Sequence, residues 1–457
     1  MSRGDAIPRV DVTTPAVVLK LDHNVMHHGG LGVIRSLGRL GVPVYGVHEG
    51  RWAPAATSRF LRGRFIWRPD PEDSDRLVAG LRAVAERIGR PAVLIPTDDA
   101  GAIFLAEHAD QLRPQFLFPS PPAHLPRQLA GKYSMFQLCR DLQVPCPQTA
   151  LPDSLAEAED FAASSGYPLV AKLTTPWNAG SSGLRSTSIV ADRQMLAEIY
   201  AACRAAGAGL MLQEFIPDAS GQDWFFHGYC DGRSNCHPAF TGVKERSYPA
   251  HAGLTSLGRS RINVRLRDEI VRLLAAVGYC GIVDLDLRFD PRDDQYKLLD
   301  FNPRLGAQFR LFRDSAGIDV ALAQYMDLTG QPLPAADQIS ERGYLVENYD
   351  PIAAFSYWRH DELRVRSWIA SIRTVDETAW YARDDLRPFG LMCMRMTWRM
   401  ASRPMSSHSR DHSYCDPRYL PGRATTKSGL RADRPPITWD PTTQSRMLRP
   451  GEEDIRV

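Results

Sequence analysis

The 457-residue chain contains no run of about 18 apolar residues, so no membrane-spanning helix is expected. Its opening stretch, MSRGDAIPRVDVTT, lacks the apolar core of a signal peptide. Net charge is nearly absent, with 55 Lys and Arg against 53 Asp and Glu. Nucleic-acid binders concentrate basic charge on one face, and nothing in this balance points to one. No CxxC pair occurs among the eight cysteines, Cys139, Cys146, Cys203, Cys230, Cys236, Cys280, Cys393 and Cys415. A chain this long needs no disulfide staples, so a reduced, cytoplasmic protein is expected. Two nucleotide signatures are missing as well. Gly29, Gly30 and Gly32 do not form GxGxxG, and no GK[ST] follows the later glycine-rich stretch.

What is present is ordinary globular composition, 44% hydrophobic and 24% charged, in a chain long enough for roughly two to four units. Ala16 to Leu19 reads as a buried strand, Leu31 to Leu40 as a helix stopped by Gly41, and Val42 to Val47 as a second strand. That is a βαβ unit with a right-handed crossover. DRLVAGLRAVAERIG is helical and PAVLIPTDD is a strand ending in two acids, so residues 1–120 read as a small parallel α/β sheet. The glycines are read as letting helix and strand approach closely.

FPSPPAHLP, near 118–126, marks a junction. Beyond it KYSMFQLCRDLQ and SLAEAEDFAASSG are helical, and YPLVAKLTT and GLMLQEFI are strands. DWFFHGYCD and HPAFTGVKERSY read as antiparallel strands, and GIVDLDLRFDPRDDQYKLLDFN as a β-hairpin with Pro291, Asp293 and Asp294 in its turn. Residues 346–400 mix aromatics with arginines. Residues 401–457 are rich in Arg, Pro, Ser and Thr with little periodicity, and read as a largely disordered tail.

The hairpin carries the first chemistry. Alternation puts Asp284 and Asp286 on one face of its first strand, and Asp300 and Asn302 on one face of its second. Two carboxylates and an amide oxygen suit a hard cation such as Mg2+, and the planar fork of Arg304 suits a phosphoryl oxygen. A hairpin with solvated acids explains the same residues equally well. A second group lies upstream. Lys172 sits in a strand leading to Gly180, Ser181, Ser182 and Gly183, a turn able to offer N–H groups to phosphate. LMLQEFI offers an apolar strand ending in Gln213 and Glu214, on which a nucleotide base could lie.

The order of these features, from Lys132 at a helix start through YPLVAK, the small-residue loop, QEFI and the acidic hairpin to LLDFNPR, resembles the ATP-grasp superfamily over residues 10–335. Within it the chain looks most like the carboxylate–amine ligase group that includes D-aspartate ligase-like enzymes. The resemblance implies mixed α/β and α+β architecture: a pre-ATP-grasp parallel α/β domain (1–120), then a two-lobed ATP-grasp domain (121–345) whose lid lobe covers about 148–217. It implies ATP, with Mg2+ or Mn2+, and small-molecule carboxylate and amine substrates. No nucleic acid and no peripheral membrane contact are expected, and a homodimer is compatible with it.

Residue roles follow from the same resemblance. Lys132 and Lys172 would meet the ATP phosphates or adenine, and Ser181, Ser182 and Gly183 would form the flap over the phosphates. Glu214 and Ile216 fall on the adenine-side hinge strand, and Asp223 on the position that holds the ribose or a lysine. Asp286, Asp300 and Asn302 match the metal positions, with Asp300 where a longer Glu is usual. TGVKERSYPAHAGLTS resembles the group's K-x-R segment, so Lys244 and Arg246 would share a strand face toward the γ-phosphate and acyl group, with Arg304 as a third catalytic cation. The implied reaction activates a carboxylate as an acyl phosphate and joins it to an amine, releasing ADP and phosphate. A non-amine acceptor and a non-catalytic nucleotide-binding regulator are the alternatives.

Other features get plainer readings. His23, His27 and His28 are read as capping or surface residues, with substrate binding as the alternative. Asp98 and Asp99 end a parallel strand, where ligands often bind. His408, His412 and Cys415 have metal-like spacing but lack a fourth ligand. FGLMCMRMTWRM is read as a core or oligomer contact rather than a membrane contact.

Overall fold

The computed structural model describes residues 10–68, 70–71, 73–174, 187–217, 221–250, 253–402 and 438–440. The first sheet contains β1 (Ala16–Leu19), β2 (Val44–His48), β3 (Leu61–Ile66), β4 (Ala92–Pro96) and β5 (Phe116–Leu117) in the parallel order β3-β2-β1-β4-β5. The central strand β1 is AVVL, buried at every position, as a strand covered on both faces must be. The helices Gly29–Arg39 and Ser74–Ile88 flank it, the second started by Asp73, whose side chain accepts from Arg76 N at 3.1 Å.

The glycines of the Gly29–Arg39 helix do allow a close approach, but mainly to a different partner. A Cβ on Gly32 would lie 2.6 Å from the Phe309 ring, and one on Gly29 would lie 3.2 Å from Ala307 Cα. At Gly30 a Cβ would meet Val18 of β1 at an ordinary 3.4 Å. The helix is thus pressed against the segment that follows Arg304.

A small antiparallel sheet comes next: β6 (Thr149–Ala150), β7 (Leu169–Leu173), β8 (Thr187–Val190) and β9 (Leu210–Glu214), in the order β6-β9-β7-β8. The helices Leu155–Ser165 and Arg193–Ala205 cover it, with Ala158, Ala162, Leu196 and Cys203 in its own small core. This sheet lies within the 148–217 segment assigned above to a lid.

The large sheet holds β10 (Asp223–Cys230), β11 (Cys236–Tyr248), β12 (Leu254–Ser260), β13 (Gly281–Asp290), β14 (Gln295–Asn302), β15 (Gly343–Leu345) and β16 (Glu377–Thr378). Its order is β14-β13-β10-β11-β12-β15-β16, antiparallel except for β15–β16. The helix Val264–Ala276 packs its Leu266, Ile270, Leu273 and Leu274 into a core with Phe226, Leu285, Leu287 and Phe301. On the other side, Phe225, Tyr229, Phe240 and Phe312 share one continuous core with Val18 and Val93 of the first sheet and Leu31 and Ile34 of its Gly29–Arg39 helix. First and large sheets are therefore packed as one body rather than joined by a linker.

Residues 346–402 form three helices, Asp350–Arg359, Val365–Arg373 and Leu386–Ala401. Buried ion pairs tie them down: Arg35–Asp385 at 3.0 Å, Arg246–Asp350 at 2.8 Å and Arg310–Glu377 at 2.9 Å. Within the stretch read as a tail, β17 (Thr438–Asp440) runs antiparallel to β3 at the edge of the first sheet. His408, His412 and Cys415 lie outside the described residues. No helix among the described residues is long and apolar enough to cross a membrane.

Candidate active site

Strand register assembles the site. In the β13–β14 ladder Asp284 stands opposite Asn302 and Asp286 opposite Asp300. In the β10–β13 ladder His227 faces Asp284, Phe225 faces Asp286 and Asp223 faces Arg288. Period-two alternation then puts Asp223, His227, Asp284, Asp286, Arg288, Asp300 and Asn302 on one face of the large sheet.

Each charged group on this face has a contact. Arg288 grips Asp223 with both forks, at 2.6 and 3.0 Å, and also donates to the Ile216 carbonyl at 3.3 Å. Lys244 Nζ lies 3.3 Å from Asp286 Oδ1 and donates to the Gly253 carbonyl at 3.1 Å. Lys132, the first residue of the Lys132–Asp141 helix, reaches Asp300 at 3.5 Å. Buried His227 lies 2.9 Å from Asp284 Oδ1. A Cβ on Gly306 would fall 2.4 Å from the His227 ring and 2.6 Å from the Asp284 carboxyl, so only glycine fits there.

Arg304 links this face to the first sheet. Its Nε donates to Asp99 at 3.1 Å, Nη1 to Asp284 at 3.0 Å and to the Leu305 carbonyl at 3.2 Å, and Nη2 to Asn302 at 2.9 Å. A guanidinium has five N–H donors, and these contacts use four, leaving one on Nη2.

The small sheet supplies the opposing residues. Lys172 on β7 donates to Gln213 on β9 at 2.8 Å. Glu214, at the end of β9, takes Gln148 N at 3.0 Å, Lys297 at 3.5 Å and Arg292. It latches the small sheet onto the hairpin of the large one. Ser181, Ser182 and Gly183 lie outside the described residues.

The electrostatics are unbalanced in the protein alone. Burial pulls the Lys172 ammonium down to about 8, and Lys132 and Arg288 pull the same way against Asp300. Burial raises the Asp286 carboxyl, and Asp284 and Asp300 add to this, against Lys244. Asp99 is raised by burial, with Asp300 and Asp284 adding to it against Arg304. Asp284 is held below its usual value: burial pushes it up, but His227, Arg304 and Lys244 outweigh that. Cations crowd cations and acids crowd acids, so an anion beside Lys132 and Lys172 and a cation beside Asp286 and Asp300 would each relieve repulsion.

One expectation needs correction. Arg246 does not join Lys244 at this face. A β-bulge lies between them, with Lys244 opposite Gly258 but Arg246 opposite Leu257, and this breaks the alternation on which a shared face was based. Arg246 instead holds buried Asp350 with both forks, at 2.8 and 3.0 Å, and Ser371 at 3.0 Å. Asp350 also takes Ser256 and Trp368, so Arg246 is a structural tie to the C-terminal helices.

The sequence reading also missed residues. Arg288 and His227 each lie two positions from residues already singled out or their neighbours (286-288 and 223-225-227), so alternation could have found them. Asp98 is structural. It caps the Asp99–Glu107 helix at Gly101 N, 2.7 Å away, and takes Leu21 N and Asp22 N. Burial lifts its carboxyl to about 6, with Asp22 adding to it. His27 and His28 cap nothing, because the Gly29–Arg39 helix has no side-chain cap bond. Buried His27 Nδ1 and His28 Nε2 are without hydrogen-bond partners, as is Glu49 Oε2, at the carboxyl edge of the first sheet. Burial, with Lys20 and Arg304 adding to it, drives His27 to about 3, so it stays neutral.

No family model matches the chain. Among curated proteins it is similar to D-aspartate ligase of Enterococcus faecium (strain Aus0004), 25% identical over 243 residues, which is 50% of this chain and 57% of that protein. The chain therefore matches little more than half of that relative's length. Among solved structures, it superposes on the biotin carboxylase domain of Hydrogenobacter thermophilus 2-oxoglutarate carboxylase, solved with MgADP and bicarbonate. The TM-score is 0.51 at 17% identity, covering 71% of this chain and 72% of that one. Carboxyaminoimidazole ribonucleotide synthase from Aspergillus clavatus, solved with ATP, gives 0.52 at 14% identity, covering 72% and 80%. N5-carboxyaminoimidazole synthetase from Staphylococcus aureus gives 0.52 at 10%, covering 72% and 81%. The chain has the mixed α/β fold of these ATP-grasp structures, a parallel sheet packed with a small and a large antiparallel sheet, and in sequence it is similar to a ligase.

Proposed function

We propose that the chain is an ATP-dependent carboxylate–amine ligase that transfers the γ-phosphoryl group of ATP to a carboxylate oxygen, releasing ADP. An amine nitrogen then attacks the acyl carbon, phosphate leaves, and a proton is lost from the nitrogen. The observation that carries this reading is the unbalanced face of the large sheet beneath the small sheet. Lys172 is lowered among cations while Asp286 is raised among acids.

In this reading Lys132 and Lys172 meet the ATP phosphates, which would stabilise the ammonium that burial destabilises on Lys172. Glu214 and Ile216 border the base, and the Asp223–Arg288 pair borders the ribose. Asp286, Asp300 and Asn302 would hold Mg2+. All three offer hard oxygen donors on adjacent register positions, and repulsion among the acids favours a cation there. Among the described residues no three His, Cys, Asp or Glu gather as a metal site by themselves, so the nucleotide phosphates would complete the ion's shell. When bound, the ion would neutralise phosphate charge.

Lys244, freed from Asp286, would face the transferring phosphoryl group. The remaining N–H of Arg304 would donate to the acyl oxygen, while its other donors fix Asn302 and Asp99 in place. The acid and amine would enter at the carboxyl edge of the first sheet, where Lys20 pairs with Glu49 and His27 feels both Lys20 and Arg304. D-aspartate, named for the relative, is the first amine or acid to test.

The test is to incubate the protein with Mg-ATP and pairs of amino acids, dipeptides and small acids, following nucleotide and product mass. ADP and an amide are expected. AMP with pyrophosphate would contradict the acyl-phosphate route, and ATP binding with no ADP from any pair would remove the ligase reading.

A further inference from the structure

Residues 350–373 present an apolar and basic surface that the site does not use. Ile352, Phe355 and Trp358 recur at helical spacing on the outer side of the Asp350–Arg359 helix, and Phe355 is 55% and Trp358 51% exposed. Their rings lie 5.6 Å apart. After a short turn, the Val365–Arg373 helix buries none of its residues, and Val365 and Ile369 stand exposed one turn apart. Isolated exposed apolar residues are ordinary, but here two touching aromatic rings and three further exposed aliphatic side chains fall within eighteen residues on two consecutive helices.

The charges around this patch are sorted. Acids of the C-terminal region turn inward: Asp350, the first residue of the Asp350–Arg359 helix, to Arg246, Glu377 of β16 to Arg310, and Asp385, just before the Leu386–Ala401 helix, to Arg35. The arginines turn outward: Arg359, Arg364, Arg366 and Arg373 are all exposed, against the exposed acids Asp361 and Glu362. With Asp350 turned inward, four exposed arginines against two exposed acids leave residues 350–373 cationic as well as apolar.

From this geometry we infer that the 350–373 helices lie on an anionic lipid surface, with Phe355, Trp358 and Ile369 in the headgroup boundary and the arginines on lipid phosphates. Trp and Phe beside Arg on a short surface helix match the chemistry of that boundary, and such a helix lies on a bilayer without crossing it. A second copy of the chain would set the same arginines against one another across a two-fold interface. Residues 403–437 cannot supply the missing negative charge either, since they carry seven Lys and Arg against three Asp. The sequence pointed to no membrane contact, and the one stretch weighed for it, FGLMCMRMTWRM, lies beyond these two helices. The inference does not depend on the ligase reading and is tested without substrate.

The experiment is sedimentation of the full chain with phosphatidylcholine vesicles, with and without phosphatidylglycerol. Anionic vesicles should bind about tenfold more protein than neutral ones, and molar salt should abolish the difference. The double variant Phe355→Ser, Trp358→Ser should lose about tenfold of that binding with an unchanged unfolding midpoint, because both side chains are exposed. Arg364→Gln with Arg366→Gln, which leaves every apolar contact in place, should do the same. Equal binding to both vesicle types, or full binding by both double variants, would overturn the inference. So would a concentration-dependent dimer of the wild type that the Phe355→Ser, Trp358→Ser variant abolishes, since the patch would then belong to a second copy.

Discussion

Lys244 and Arg246 are two positions apart on β11, yet they belong to opposite kinds of charge network. Arg246 enters a seam in which a buried acid is answered in full: Asp350 takes its two forks, Ser256 and Trp368. Lys244 enters a face where charges are close but mismatched, with Asp286 raised by burial and its acidic neighbours and Lys172 lowered by burial and its basic ones. A network satisfied by the chain itself is scaffold. A face that leaves Lys172 lowered and Asp286 raised, chiefly by burial, would gain from a charged ligand beside those two residues. Residue type does not separate the two, since both contain a basic side chain against aspartate.

The seam should fail first in stability. Asp350→Ala leaves Arg246 buried without its carboxylate and should cost about 3–5 kcal/mol, read as a large fall in the unfolding midpoint. The paired change Arg246→Met, Asp350→Leu should recover most of it. If Asp350→Ala unfolds no earlier than wild type, the seam is not structural. The face should behave in the opposite sense. Asp286→Asn relieves crowding with Asp284 and Asp300 but gives up the Lys244 ion pair, so it should lower the midpoint far less than Asp350→Ala while cutting turnover about 10²–10³-fold. A stability loss without a loss of turnover would break the distinction.

Proton titration gives a third separation. Lys172 loses its proton near pH 8 in the free protein, while a phosphate beside it would raise that value. ATP affinity should therefore be full below about pH 8 and fall as pH rises above it. The same depressed value means that protonated Lys172 costs folding stability below about pH 8, a cost that disappears as pH climbs toward the ordinary lysine range. Titration calorimetry from pH 7 to pH 9 reads the affinity, and Lys172→Met should flatten the profile. The smallest effect belongs to the latch. Glu214→Gln weakens partly exposed contacts to Arg292 and Lys297, worth no more than about 1 kcal/mol, or about fivefold in the KM for ATP.

What could be read from sequence followed period and distance along the chain. The β13–β14 hairpin was visible because alternation and a four-residue turn are local, but an unbroken ladder would set Asp286 opposite Leu299, and a register shift between Asp286 and Leu287 is what brings Asp300 opposite Asp286. The parallel leading sheet was visible for the same reason. Arg246 was misread because a bulge is one extra residue with no sequence mark of its own here, and its true partner lies 104 residues away. Gly32 was read as easing the approach of helix to strand, yet it and Gly306, which drew no reading, are required by side chains that approach from distant segments. Arg288 stood on the face already predicted and was passed over. The outward arginines of 350–373 were in plain view, but their direction depends on where Asp350, Glu377 and Asp385 find their partners.

The comparison of seam and face comes down to Mg-ATP binding by two variants, measured by calorimetry on the full chain. Arg246→Met with Asp350→Leu should bind like wild type, and Lys172→Met with Asp286→Asn should lose binding by about 10²-fold or more. Loss in the seam variant with retention in the face variant would contradict the assignment of the nucleotide site to the unbalanced face.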